Sequence, residues 1–257
     1  MNRYEKRMLA ILEEGKKSSG IVSVKAEFEA EGTRVHELLR LIEITRRAGI
    51  KLGLKIGGCE AIRDLIECRQ FGVDYIIAPM VETPYALGKF IAAKDKVFPK
   101  EEQEDIGFLF NVETKTTFEH LAVLGEVAQK GNVGMVFGRV DFAGSMGRDR
   151  DFVNSNEMIS CVEKVAEVAR AHDLDLVVGG GVSPASIEPL RRVRRTRLDR
   201  FETRKVIFDA AVLDKADPAH GLDLAIEFEL LWLQNKRDFY GKIGAEDEQR
   251  IAMMEAR

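Results

Sequence analysis

Glu113 and Asp141 are the residues whose type and placement point most directly to chemistry. Each follows an apolar run of strand character. Ile106-Gly107-Phe108-Leu109-Phe110 leads into Asn111-Val112-Glu113-Thr114, and Val133-Gly134-Met135-Val136-Phe137 leads into Gly138-Arg139-Val140-Asp141. A segment of helical character separates the two. Carboxylates at the C-terminal ends of successive parallel strands meet at one mouth of a β/α barrel, where that fold places divalent metals and reactions.

The elements that must position this pair alternate along the chain. Strand-like segments are predicted at 21–26, 51–56, 74–80, 107–112, 134–140, 174–178 and 201–208, with helices at 35–48, 60–71, 86–93, 117–129, 157–172 and 221–239. Gly49 and Gly72 sit just past two of the helices, as C-caps prefer. This β-then-α order calls for a parallel sheet covered by helices. Seven strands are readable, and the helix at 4–14 runs straight into Ile21 where a full barrel needs one more strand. The expected fold is therefore an α/β, TIM-type (β/α)8 barrel with an irregular or missing first strand. One domain spanning 1–257 is expected, with an N-terminal helix and a C-terminal helical tail.

Strand residues alternate between two faces. Val22, Val24, Ala26 and Phe28 oppose Lys25, Glu27 and Glu29; Leu52, Leu54 and Ile56 oppose Lys55; Phe108, Phe110 and Val112 oppose Asn111 and Glu113. Extending the fifth strand to Val140 puts Arg139 and Asp141 on one face. If the apolar faces lie under the helices, the barrel interior collects Lys25, Glu27, Glu29, Lys55, Asn111, Glu113, Arg139 and Asp141. Charges there are costly unless paired or bound to a metal. Such a cluster is either a site or an internal salt-bridge network closing the barrel top.

Composition excludes other classes. Of 257 residues, 45% are apolar and 32% charged, with a formal net charge of −4, so there is no bulk electrostatic reason to bind nucleic acid or membrane. No run approaches the length of a membrane span, and the charged N-terminus lacks a signal-peptide core. Cys59, Cys68 and Cys161 are widely spaced and odd in number, which suggests buried reduced thiols in a cytoplasmic protein. Gly179-Gly180-Gly181-Val182-Ser183-Pro184 reads as a tight turn, with phosphate or carboxylate binding as the alternative. The run Arg191-Arg192-Val193-Arg194-Arg195-Thr196-Arg197 reads as a solvated helix face balanced by nearby acids.

Phe110-Asn111-Val112-Glu113-Thr114 and the stretch from Gly138 to Gly147 resemble the HpcH/HpaI aldolase and citrate lyase family. Asp74-Tyr75-Ile76-Ile77-Ala78-Pro79-Met80-Val81-Glu82-Thr83 is similar to the family's preceding strand. The likeness runs from about 21 to 182. It implies a class II, metal-dependent aldolase or carbon–carbon lyase acting through the enolate of pyruvate or a related 2-oxo acid. Glu113 and Asp141 are then the ligands of Mg²⁺ or Mn²⁺, other divalent metals being possible. Asn111, Gly138, Arg139 and Val140 are the expected substrate-binding residues, with backbone N–H groups of Val140 and Asp141 facing a substrate carboxylate.

Lys55 stands where many members carry arginine, and supplies positive charge beside the enolate oxygen without arginine's bidentate fork. The stretch Glu27-Phe28-Glu29-Ala30-Glu31-Gly32 lacks the histidine that many members use for proton transfer, so Glu29 or Glu27 is the expected acid or base. The expected partners are a 2-oxo acid, a second substrate, and further copies of the chain in a homo-oligomer. Two alternatives compete: Schiff-base catalysis by Lys55 or Lys25, and a non-catalytic member kept as a ligand-binding or assembly module.

Overall fold

The computed structural model describes residues 1–215 and 217–257. Eight strands form a closed barrel in chain order: β1 (Ile21–Glu27), β2 (Lys51–Lys55), β3 (Tyr75–Ala78), β4 (Gly107–Val112), β5 (Gly134–Gly138), β6 (Leu176–Gly179), β7 (Arg200–Glu202) and β8 (Val206–Asp209). The helices are α1 (Arg3–Ser18), α2 (Val35–Ala48), α3 (Ile62–Phe71), α4 (Pro84–Val97), α5 (Lys100–Gln103), α6 (Lys115–Glu119), α7 (Leu121–Gly131), α8 (Arg139–Ser145), α9 (Asn156–Ala171), α10 (Ile187–Arg194) and α11 (Ala219–Glu255). Among the described residues, no helix is long and apolar enough to cross a membrane.

The first strand is present, which corrects one expectation. β1 pairs in parallel with β2 through five residue pairs, Ser23 opposite Lys51 through Glu27 opposite Lys55. The irregular strand is the eighth. β8 runs antiparallel to both β7 and β1, and its register with β1 shifts between Ile21 and Ser23. What reads as one strand over 201–208 is thus a hairpin that supplies two staves of the barrel.

The turn Thr203-Arg204-Lys205 reverses the chain at the same end where Glu113 emerges. Its bonds are local and tertiary. Thr203 N–H donates to Val206 O at 2.9 Å, and the Thr203 hydroxyl donates to Glu229 at 2.6 Å.

Local signals fix several ends. Asn2 caps α1 by accepting from Glu5 N–H at 3.0 Å, while Glu5 accepts from Asn2 N–H at 2.8 Å. α2 stops at Gly49, whose φ of +64° is the left-handed cap that glycine adopts without strain.

The alternation expected for β2, β4 and β1 from Val24 onward holds, but at the start of β1 the register shift puts Ile21 rather than Val22 in the core. Val24, Ala26, Leu52, Leu54, Phe108 and Phe110 are buried in the core between sheet and helices. Inside the barrel, Tyr75, Ile77, Leu109, Val136 and Val177 form a separate apolar plug. Side chains beyond that plug toward the strand C-termini are the charged ones. Trp232 and Phe228 of α11 face the core, whereas Leu230 and Leu233 are exposed. The three cysteines are free, but only Cys68 is buried, contrary to the expectation for Cys59 and Cys161. The basic run is paired as a solvated face should be: Arg192 with Glu163 at 2.7 Å, Arg194 with Asp214 at 2.9 Å and Arg197 with Asp199 at 2.8 Å.

Candidate active site at the barrel mouth

β4 turns Leu109 inward and brings Asn111 and Glu113 to the mouth. Glu113 is only 1% exposed. Its Oε1 accepts from Met80 N–H at 2.9 Å and its Oε2 from Asn111 Nδ2 at 2.7 Å, with Lys55 Nζ 3.7 Å away. Burial pushes the Glu113 carboxyl above the usual carboxylate range. Lys55, Met80 N–H and Asn111 pull it back without reversing the shift, and Asp141 adds to the rise. Gly138 permits this packing, since a Cβ there would sit 3.1 Å from both Cβ and Oε2 of Glu113.

Lys55 leaves the end of β2 and meets Glu29 at 3.0 Å. Burial alone lowers its ammonium, but Glu113 and Glu29 outweigh that and hold it above the usual lysine range. Lys25 behaves alike: burial opposes its charge, yet Glu202 at 2.5 Å and Glu27 at 3.5 Å raise it strongly. Both amines are therefore held protonated. A Schiff-base nucleophile needs a neutral amine, so this geometry works against that alternative.

Asp141 is not on a strand. β5 ends at Gly138, and Asp141 lies in the first turn of α8, exposed and without an ion-pair partner among the described residues. Arg139 also departs from expectation. Its side chain is fully buried and bound to Gly179 O at 3.0 Å, Val153 O at 3.4 Å, Asn154 Oδ1 at 2.9 Å and Ser186 Oγ at 3.4 Å. With its donors so engaged it does not reach a substrate, and the extrapolated strand alternation fails because α8 starts at this residue. Val140 is placed differently. A Cβ on Gly180 would fall 2.7 Å from Val140 N and 2.8 Å from Arg139 N, so glycine leaves a cradle beside those amides.

Lys25, Glu27, Lys55, Glu113 and Glu202 are each no more than 12% exposed at the side chain. The salt-bridge network is thus real, but it does not balance. Glu27, Glu29, Glu113 and Glu202 share the ammonium groups of Lys25 and Lys55. The adjoining Lys205 and Arg204, paired with Glu31, also act on Glu27, so five carboxylates meet four cations and one acid is in surplus. Asn111 Oδ1 is buried with no hydrogen-bond partner, and Glu29 Oε2 lies near Lys55 without meeting hydrogen-bond geometry. Orphaned acceptors and a surplus carboxylate are what an oxygen-ligated dication would relieve. Among the described residues no group of three or more His, Cys, Asp or Glu could hold a metal. Two carboxylates, Glu113 and Asp141, are too few for structural zinc, and such an oxygen pair fits an ion like Mg²⁺ or Mn²⁺ that leaves its other positions to water and substrate.

Larger hollows lie away from the mouth. One of about 820 Å³ opens at the opposite end of the barrel beside Lys51, Tyr75 and Arg200, and one of about 620 Å³ lies between α1, α2 and α11. Volume does not decide the location of the chemistry, because β/α barrels place it where the strands end. Sequence reading missed the Met80 N–H contact, which is a backbone group and leaves no residue-type signal. Glu202, within the segment read as a single strand over 201–208, is a further buried carboxylate at this mouth, paired with Lys25.

Comparison with known proteins bears on this geometry. Residues 22–184 match the sequence model described as HpcH/HpaI aldolase/citrate lyase. Among solved structures, the fold matches an HpcH/HpaI aldolase from Desulfitobacterium hafniense DCB-2 at a TM-score of 0.62 and 14% identity, covering 79% of this chain and 83% of that one. It matches an HpcH/HpaI aldolase/citrate lyase family protein from Burkholderia cenocepacia J2315 at 0.63 and 10%, covering 77% and 83%. A citrate synthase variant, SbnG, matches at 0.54 and 15%, covering 76% and 81%. Identities this low establish a shared fold alone. No curated protein matches the chain.

Proposed function

Because the chain belongs to the HpcH/HpaI aldolase/citrate lyase family, we propose that it is a metal-dependent carbon–carbon lyase or aldolase. Its reaction runs through the enolate of pyruvate or a related 2-oxo acid. The observation that carries this reading is the buried Glu113 carboxylate at a mouth with more acids than cations, with the unpartnered Asn111 Oδ1 beside it. Glu113 and Asp141 are the residues that would hold Mg²⁺ or Mn²⁺. When bound, such an ion supplies Lewis-acid stabilisation of negative charge developing on the enolate oxygen.

The remaining roles fall to the chain itself. Lys55, held protonated beside Glu113, provides fixed positive charge at the mouth. The Val140 amide, left open by Gly180, receives the carboxylate of the 2-oxo acid. Glu29 has a side chain 25% exposed and 3.0 Å from Lys55, so it reaches both the mouth and solvent. It is the group placed to carry a proton where the family's histidine is missing. Glu27 is tied to Lys25 at 3.5 Å and shapes the wall. A second, carbonyl-bearing substrate and a homo-oligomeric cytoplasmic assembly belong to the same proposal.

Manganese titration followed by electron paramagnetic resonance tests the metal assignment. One tight Mn²⁺ site per chain is expected in the wild type, weakened at least tenfold in Asp141→Asn, since metals of this class bind through few carboxylates. Undiminished binding in that variant would remove Asp141 from the site.

A further inference from the structure

The mouth continues into a cleft that the reading above does not use. We propose that this cleft, between the 3₁₀ turn Arg150–Asn154 and the glycine loop after β6, is a subsite for an oxyanion on the second substrate, a carboxylate or a phosphate. The inference rests on the proposed lyase reading, because it names the class of the second substrate.

The cleft has a volume of about 360 Å³ and is lined in part by Arg150, Asp151, Asn154, Gly181 and Ser183. That space suits one anionic group and the carbon bearing it rather than a large cofactor. It adjoins the candidate site: a Cβ on Gly181 would lie 3.6 Å from Val140 Cγ2, and Gly180 lies against Val140 N. Both glycines have left-handed backbones, with φ of +79° and +68°, so the loop comes close without side chains in the way.

Two features give the cleft its chemistry. The first is Arg139, a fully buried guanidinium whose four partners are all neutral: two carbonyls, an amide oxygen and a hydroxyl. Buried charges are ordinarily paired with an opposite charge. Here an uncancelled positive charge stands behind the wall formed by Val153 and Asn154.

The second is the fixed amide of Asn154. Its Oδ1 accepts from Arg139 Nη1 at 2.9 Å and from Ser186 Oγ at 3.0 Å. Arginine has no acceptor, so the oxygen must face it and the NH₂ must face away. That NH₂ has no partner among the described residues, and neither does the exposed guanidinium of Arg150. Asp151 is the one acid in the lining, but it is exposed and screened by solvent, whereas Arg139 is not.

Asn154→Asp separates binding from structure. It keeps an acceptor for Arg139 and Ser186 while replacing the cleft-facing NH₂ with an anionic oxygen. Full-length, Mg²⁺-loaded protein is titrated calorimetrically with inorganic phosphate and, separately, with acetate. Saturable binding of at least one probe is expected in the wild type. The stronger probe identifies the group as phosphoester or carboxylate.

Asn154→Asp should weaken that binding at least tenfold, with a melting temperature held or raised because Arg139 gains a counter-ion. Arg150→Ala, at an exposed position, should weaken it several-fold. No saturable binding in the wild type, or wild-type affinity in both variants, overturns the proposal. Proton exchange at the pyruvate methyl in the wild type reports on the lyase reading separately. Exchange without oxyanion binding sinks this inference alone.

Discussion

Lys25→Met should destabilise the barrel by about 3–5 kcal/mol, the range found when one partner of a buried ion pair is removed. Lys25 is 12% exposed and joins Glu202 at 2.5 Å to Glu27 at 3.5 Å. Glu202 belongs to β7 and Lys25 to β1, with the reversed β8 between them, so this contact ties the barrel across its irregular stave. Deleting the ammonium strands two carboxylates in the interior. Denaturant unfolding measures the loss, and adding Glu202→Gln to Lys25→Met should recover part of it.

The pH dependence has a definite sign. A lysine raised in the folded state contributes stability that is complete below its unfolded value and is lost only as pH climbs through the folded value. Lys25 is raised, so the difference between wild type and variant should stay flat from neutral pH to about 10, near the ordinary lysine range. A loss below about 1 kcal/mol would show instead that the pair behaves like a surface contact.

Glu113→Gln should cut proton exchange at the pyruvate methyl by roughly 10³-fold, because Lewis-acid stabilisation contributes several kcal/mol and each 1.4 kcal/mol is tenfold in rate. The same change should leave the metal-free protein at least as stable as wild type. Burial already holds the Glu113 carboxyl above its usual range, so the charged form is the costly one. A group of this kind detracts from stability as pH rises past its unfolded value toward its folded one, and a neutral amide removes that penalty. Lost exchange together with an unchanged or raised melting temperature is what separates a functional carboxylate from a structural one. A variant that loses both activity and fold would indicate that Glu113 mainly holds Met80 and Asn111 in place.

Much of this mouth was legible from alternation alone. Apolar faces at Val24 and Ala26, Leu52 and Leu54, and Phe108 and Phe110 point to the helices, which leaves Lys25, Lys55, Asn111 and Glu113 facing inward. Alternation is reliable over those residues because the parallel pairing there is regular and covered on its outer side, and it slips at Val22, where β1 shifts register against β8. It failed at Arg139 and Asp141, where the strand ends at Gly138 and a helix begins without a Ser, Thr, Asp or Asn cap or a proline to announce it.

The hairpin within 201–208 stayed hidden for a related reason. Thr203-Arg204-Lys205 contains no glycine, proline or asparagine, and the reversal is held by Glu229 of α11, which bonds both the Thr203 hydroxyl and Lys205 N–H. Tertiary contacts of that kind have no local signature. The neutral cage around Arg139 is also beyond sequence, since its acceptors come from β6, the 150–154 turn and Ser186, far apart in the chain.

The most direct test of a metal-dependent enolate site is deuterium incorporation at the methyl of pyruvate in heavy water, followed by proton NMR. The expected result is exchange with Mg²⁺ or Mn²⁺ present, loss in EDTA, and recovery when the metal is returned. Exchange that continues undiminished in EDTA, with pyruvate trapped on the protein by borohydride, would contradict it and place the chemistry on a lysine.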